Sequence, residues 1–153
     1  MSTTPLSPGD QIIRKNVLWS MGAGAIPLPL IDVAAVAVIQ LDMLRELCKL
    51  HNVEFSERKG KSLITALTAS IMARLGASVV KSIPLVGWVV GGISMAVLSG
   101  ASTFAVGKVF DKYLREEGTL DIPNMKEAKD YFKEFFEEGK KEAQKLKDQA
   151  EEG

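Results

Sequence analysis

Hydrophobic residues recur along this chain at the three- and four-residue spacing that is typical of α-helices. The pattern predicts five helices, over about residues 11–21, 30–51, 56–80, 86–117 and 124–152. Glycine and proline separate the first two segments, at Gly22, Gly24, Pro27 and Pro29, and the last two, at Gly118 and Pro123. The predicted fold class is therefore all-α: a helical bundle with two hydrophobic hairpin-like halves and a C-terminal amphipathic charged helix.

The same pattern divides the chain into three parts. Residues 1–9 are rich in proline, serine and threonine and are predicted to form a disordered leader. Residues 10–118 are predicted to form the hydrophobic bundle, and residues 119–153 a linker followed by the charged helix. Apolar residues of that last helix follow a near-heptad spacing. We expect this helix to fold back onto the bundle, with a homotypic coiled coil as the alternative.

The longest run without charge covers residues 82–107. It is longer than the roughly 20 apolar residues that cross a bilayer as a helix. Five glycines, five serine or threonine residues and Pro84 weaken the hydrophobic gain, so insertion as a single span is marginal. The run is either membrane-associated or the buried central helix of a soluble bundle.

Small residues follow helical spacing in the third segment and again in the uncharged run. Such stripes let two helix backbones approach closely, so we predict that the third and fourth helices pair as a tight hairpin. The stripe residues are Ala66, Ser70, Ala73, Ala77, Gly92, Ala96 and Gly100. The aromatic residues that we predict to face lipid or a neighbouring subunit are Trp19, Trp88, Phe104, Phe132, Phe135 and Phe136.

Four polar residues interrupt the apolar helices: Asp32, Gln40, Asp42 and Arg74. We interpret them as a satisfied buried network or as helix caps, with a transport or proton-relay site as the alternative. A charge at bilayer depth is costly. Arg74 is therefore expected either to face water or to pair with Asp32 or Asp42.

Composition narrows the possible functions. Nineteen basic and nineteen acidic residues balance to zero net charge, which argues against a nucleic-acid partner. Cys48 is the only cysteine, which excludes an intrachain disulfide and fits a reducing compartment. Cys48 and His51 lack a third metal ligand, and Phe55 replaces the first glycine that a phosphate-binding loop would need before residues 60–62. No catalytic, cofactor or metal site is predicted, and an enzyme is not expected.

Three segments resemble a known bacterial family: IPLPLIDVAAVAVIQLDMLRELCKLHNVEFSE, SIPLVGWVVGGISMAVLSGASTFAVGKVFDKYL and KDYFKEFFEEGKK. This is a family of unknown function that includes the inner-membrane protein YcjF and a region found C-terminal to GTPase domains. The resemblance covers most of the chain from Ile26 to Lys141. It implies an all-helical, membrane-associated module near or fused to a GTPase, and it implies no catalytic residues.

These observations together predict a non-enzymatic, membrane-associated helical protein that self-assembles or acts as an adaptor or scaffold. The expected partners are membrane lipid, further copies of the chain and, by the resemblance, a GTPase. The expected location is the cytoplasmic face of the inner membrane or the membrane itself, with the cytoplasm as the alternative. A soluble homo-oligomeric scaffold is the alternative function, and an oligomeric channel is a third.

Overall fold

The computed structural model describes the backbone of residues 5–24, 29–81, 89–90 and 93–152, and the side chains of residues 5–22, 35–69 and 95–150. Its helices are α1 (Pro8–Gly24), α2 (Pro29–Leu50), α3 (Glu57–Lys81), α4 (Met95–Glu117) and α5 (Met125–Glu152). A short antiparallel pair precedes α4, formed by β1 (Val89–Val90) and β2 (Ile93–Ser94). The predicted all-helical bundle is confirmed.

Side-chain caps define the helix starts. Ser7, Ser56 and Asn124 each accept a hydrogen bond from the backbone N–H three residues later, which satisfies one of the free donors in a first helical turn. Gly118 follows α4 at φ +67°, a left-handed conformation that glycine adopts without steric cost. The helix boundaries therefore follow from local sequence at these four positions.

Helix α4 is the centre of the bundle. It packs mainly against α5 and α1, then against α2, whereas α3 makes only slight contact with it. Thirteen α4 residues are buried, on all sides of the helix, as expected for a core helix. Helix α1 runs antiparallel to α4, because Asp10 reaches Lys108 and Ser20 reaches Thr103.

The start of the fourth helix differs from the prediction. Val89 pairs with Ser94 and Val90 with Ile93, so the helix begins at Met95 rather than near residue 86. Valine and isoleucine favour strands, and the intervening Gly-Gly sequence is a favoured hairpin connection. These local preferences account for the later helix start. Residues 86–88 lie outside the part of the chain that is described.

The predicted pairing of small-residue stripes between the third and fourth helices is wrong for Gly100. A Cβ added at Gly100 would lie 2.7 Å from Met21 Cγ and 3.1 Å from Ala143 Cβ, so this glycine faces α1 and α5. At Gly100, helix α4 therefore approaches α1 and α5 closely rather than α3. Ala66 and Ala96 are half-buried. The side chains of Ser70, Ala73 and Ala77 and the whole of Gly92 lie outside the described residues.

Helix α5 folds back along α4 of the same chain, as expected. Phe132 is fully buried and stacks on Phe136, with ring centroids 6.2 Å apart. These two residues belong to the core, which corrects their assignment to a lipid or subunit interface. Phe104 and Phe135 are half-buried and pack against the same core. The apolar seam of α5 is thus used within the chain.

The last two residues of the predicted leader are helical instead. Helix α1 already begins at Pro8. Gly9 is buried, and it lies so close to α4 that an added Cβ would be 2.6 Å from Asp111 Oδ1. Proline suits a first helical position since its missing N–H has no partner there in any case. Residues 8 and 9 therefore belong to the bundle.

Candidate functional site

The outer face of α1 changes from polar to apolar along the helix. Arg14 and Lys15 are exposed, and one turn later Leu18 is 48% and Trp19 68% exposed. The opposite side of the helix is buried, with Val17 at 1%. Large apolar side chains are thus presented to the exterior near the C-terminal end of α1.

The outer face of α2 shows the reverse order in sequence. Val38 is 59% exposed, and the charged residues Asp42, Arg45 and Lys49 follow on the same side. Helices α1 and α2 are antiparallel, because Lys15 pairs with Glu46 whereas Ser20 and Gln40 both bond Thr103. The two apolar stretches therefore lie at the same end of the pair. We call this the apolar end and define it by Leu18, Trp19 and Val38.

Two other large hydrophobic residues are exposed at the opposite end of the same helices. Leu6, before α1, is 42% exposed, and Leu50, at the end of α2, is 38% exposed. Single exposed apolar residues are normal on protein surfaces. Both are less exposed than the three residues of the apolar end, and Leu50 provides a matched position for mutagenesis.

Buried polar groups join three helices beneath the apolar end. Ser20 Oγ of α1 lies 2.6 Å from Thr103 Oγ1 of α4, and Gln40 Nε2 of α2 donates to Thr103 Oγ1 at 3.1 Å and to Ser102 Oγ at 3.3 Å. Ser20 and Thr103 are completely buried, and Gln40 is 3% exposed. The hydroxyls were missed from the sequence, because serine and threonine do not disturb a helical apolar pattern.

The other predicted polar residues have different environments. Asp42 is exposed and pairs with Arg45 at 3.6 Å, so it is not part of a buried network. The reason is helical geometry, because Leu41 and Met43 on either side of it occupy the inner face. The side chains of Asp32 and Arg74 lie outside the described residues.

A second cluster of polar side chains links helices at the opposite end of the bundle. Asp111, with a side chain 8% exposed, bonds His51 Nε2 at 2.8 Å and Arg115 Nη1 at 3.4 Å. Nearby, Lys108 Nζ donates to Asp10 Oδ1 at 2.6 Å. Burial alone would raise the pKa of Asp10, but the bonds with Lys108 and Ser7 outweigh it and the pKa is lowered.

The described residues do not bring Cys48 and His51 together with a third metal ligand. Cys48 is completely buried, and burial raises the pKa of its thiol. His51 faces Asp111 rather than a shared metal position. Within the described ranges, no group of three or more His, Cys, Asp or Glu residues could hold a metal ion. The notable feature of this surface is therefore the apolar end.

Hydropathy alone does not define a span here. Among the described helices, none combines the length and the hydropathy needed to cross a bilayer. The fold and surface define a class: an all-helical bundle that exposes three large apolar side chains, Leu18, Trp19 and Val38, toward one end of its α1–α2 pair.

Comparison with known proteins identifies the family. A family model described as "Domain of unknown function (DUF697)" matches residues 9–141, so the chain belongs to this family. A protein named Magnetosome membrane protein 22, from Magnetospirillum gryphiswaldense, is 36% identical over 154 residues, which cover 94% of this chain and 79% of that protein. No solved structure matches. The prediction of a family of unknown function is confirmed.

Proposed function

We propose that this chain is a non-enzymatic protein that attaches to a lipid bilayer through the apolar end. The observation that carries the proposal is the exposure of Trp19, with Leu18 and Val38 exposed at the same end. Tryptophan concentrates at membrane–water interfaces, where its ring is partly apolar and its N–H stays hydrated. The name of the magnetosome membrane relative supports a membrane location.

The three side chains account for a modest binding free energy. Complete burial of a large apolar side chain gains about 1.5–3 kcal/mol. Since each is only about half to two-thirds exposed, together they contribute about 3–5 kcal/mol before the costs of binding. Attachment through these residues alone would be reversible, as it is for a single acyl chain.

Helix α5 sets the orientation of the bundle. Ala143 packs near Gly100, so the C-terminal part of α5 lies close to the N-terminal end of α4. Its outer face there carries exposed Lys145 and Asp148. Charged groups are costly to place in lipid. The bilayer contact therefore involves the α1–α2 side, and α5 remains in water.

This orientation supports an adaptor or scaffold role. The charged face of α5 and the loops at the end opposite the apolar end stay accessible to protein partners. The YcjF-like resemblance implies a GTPase as one such partner, and further copies of this chain are another. Light scattering of the purified protein, with and without detergent, would separate a defined oligomer from a polydisperse aggregate.

Vesicle flotation tests the membrane proposal. The parent protein should float with vesicles, and Val38→Glu should reduce the floating fraction, because it places a charge at the apolar end. Leu50→Glu makes the same kind of change on the same helix at the opposite end and should leave flotation unchanged. Unchanged circular dichroism would show that both exposed-site variants fold.

Trp19 also supplies a direct optical probe. In a Trp88→Phe background, Trp19 is the only tryptophan. Its fluorescence should shift to shorter wavelength when vesicles are added, because the indole leaves water. A parent protein that neither floats nor shows this shift would refute membrane attachment. A single defined oligomer in which Trp19 is already shielded would instead favour the soluble homo-oligomeric scaffold.

A further inference from the structure

Arg14 is placed to contact the surface layer of a bilayer that receives the apolar end. Arg14 and Leu18 are four residues apart and share one helix face. At 1.5 Å per residue, the Arg14 backbone lies about 6 Å along the axis from Leu18 and about 7.5 Å from Trp19. If Leu18 and Trp19 enter a bilayer to the depth of about 5–10 Å that is usual for interfacial apolar side chains, the headgroups lie within a similar distance of them. The long Arg14 side chain therefore reaches headgroup height.

The neighbouring charges leave Arg14 as the uncompensated one. Lys15 Nζ lies 2.6 Å from Glu46 Oε2, and Arg45 Nη1 lies 3.6 Å from Asp42 Oδ1. Each of these ion pairs has a net charge of zero. Arg14 is exposed and has no ion pair among the side chains described for residues 5–22, 35–69 and 95–150. Among the described side chains of α1 and α2 that lie between the apolar end and the level of Glu46, Arg14 thus leaves one net positive charge, and Lys49 lies further along α2.

We propose that the bilayer bound by the apolar end is one with anionic phospholipid headgroups, which Arg14 contacts. This inference rests on the proposed function, since it names the lipid that the same surface prefers. The guanidinium group is always charged and forms paired hydrogen bonds with phosphate oxygens. Lys15 can contribute only by exchanging Glu46 for a lipid phosphate.

The expected preference is modest because one charge carries it. A basic residue near an anionic surface contributes about 1 kcal/mol, which corresponds to about a fivefold change in partition coefficient. Salt should reduce this preference, because the screening length is about 10 Å at 0.1 M ionic strength. The apolar contribution does not depend on headgroup charge.

The test compares partitioning of the full chain into vesicles of phosphatidylcholine and into vesicles that also contain phosphatidylglycerol. Arg14→Gln should lower the preference for the anionic vesicles about fivefold and leave binding to phosphatidylcholine unchanged. Asp42→Asn, on the neighbouring helix, should raise the preference by a similar factor. Arg58→Gln is the control, because it removes an exposed arginine at the opposite end of the bundle.

The outcomes separate this inference from the proposed function. Equal binding of parent and Arg14→Gln to both vesicle types would overturn the anionic preference while leaving membrane attachment intact. An equal loss with Arg58→Gln would also overturn it, because the effect would then be one of overall charge. Absence of binding to either vesicle type would refute the proposed function itself. A parent dimer that Trp19→Ala converts to monomer would show that a second copy covers this surface.

Discussion

Gly139 offers a sharp test of how closely α4 and α5 approach. A Cβ added at Gly139 would lie 2.9 Å from the backbone oxygen of Ala101 and 3.0 Å from its Cα. It would also lie 3.0 Å from Cδ1 of Phe104, whose ring can move more readily than the backbone. Gly139→Ala therefore requires the two helices to separate.

Two effects of this substitution oppose each other. Alanine is favoured over glycine in a helix interior by about 1 kcal/mol. Overpacking a tight contact costs about 1–3 kcal/mol. Since the closest atoms belong to a helix backbone, we expect the packing cost to exceed the gain and the free energy of unfolding to fall by about 1 kcal/mol.

Gly22→Ala is the matched control for the same change. Gly22 lies in α1, is exposed, and a Cβ there would have no described atom within 4 Å. Only the helix preference acts, so stability should rise by up to about 1 kcal/mol. Urea unfolding followed by circular dichroism gives both midpoints. A Gly139→Ala protein as stable as the parent, or more stable, would show that α4 and α5 are not in the close contact described.

Two further predictions concern the polar groups. Thr103→Val removes the hydroxyl that Ser20 and Gln40 share beneath the apolar end. It should lower the free energy of unfolding by about 1–3 kcal/mol, because Ser20 loses its partner. Ser102→Ala should cost less, since Gln40 keeps its hydrogen bond to Thr103. Because the pKa of Asp10 is lower in the folded protein, the unfolded chain binds more protons. The stabilisation that Asp10 contributes is therefore present above the ordinary pKa of aspartate, and it is lost as pH falls through the lower folded pKa. Asp10→Asn should therefore destabilise the protein by less than about 1 kcal/mol at neutral pH, and the difference from the parent should shrink in acid. A stability difference for Asp10→Asn that grows as pH falls would contradict this sign.

The helices were predictable because their signals are local. The caps at Ser7, Ser56 and Asn124 and the left-handed residue Gly118 use only neighbouring backbone groups. The apolar seam of α5 also predicted its return onto the bundle. The start of the fourth helix was missed, because the uncharged run was interpreted as one helix although its Val-Val-Gly-Gly-Ile sequence is also suited to a hairpin.

The candidate surface was only partly predictable. Trp19 was singled out from the sequence, but Leu18 and Val38 were not, because an apolar residue in an amphipathic helix is ordinarily assigned to the core. Phe132 and Phe136 were assigned to an interface although they are buried. The face that α5 presents to α4 cannot be known from α5 alone. Asp42 was expected inside and lies outside, one helical step from a buried neighbour.

The fold class and the family could be inferred without a structure, because helical periodicity, caps and family motifs are all properties of contiguous residues. Which helix is central and which faces remain exposed depend on how the helices pack against one another. On the outer face of α1 charged residues precede apolar ones, and on the outer face of α2 apolar residues precede charged ones. Neither order by itself shows where the apolar residues lie in the folded protein. Antiparallel packing brings the two apolar stretches to one end, and that coincidence defines the surface on which the proposed membrane function rests.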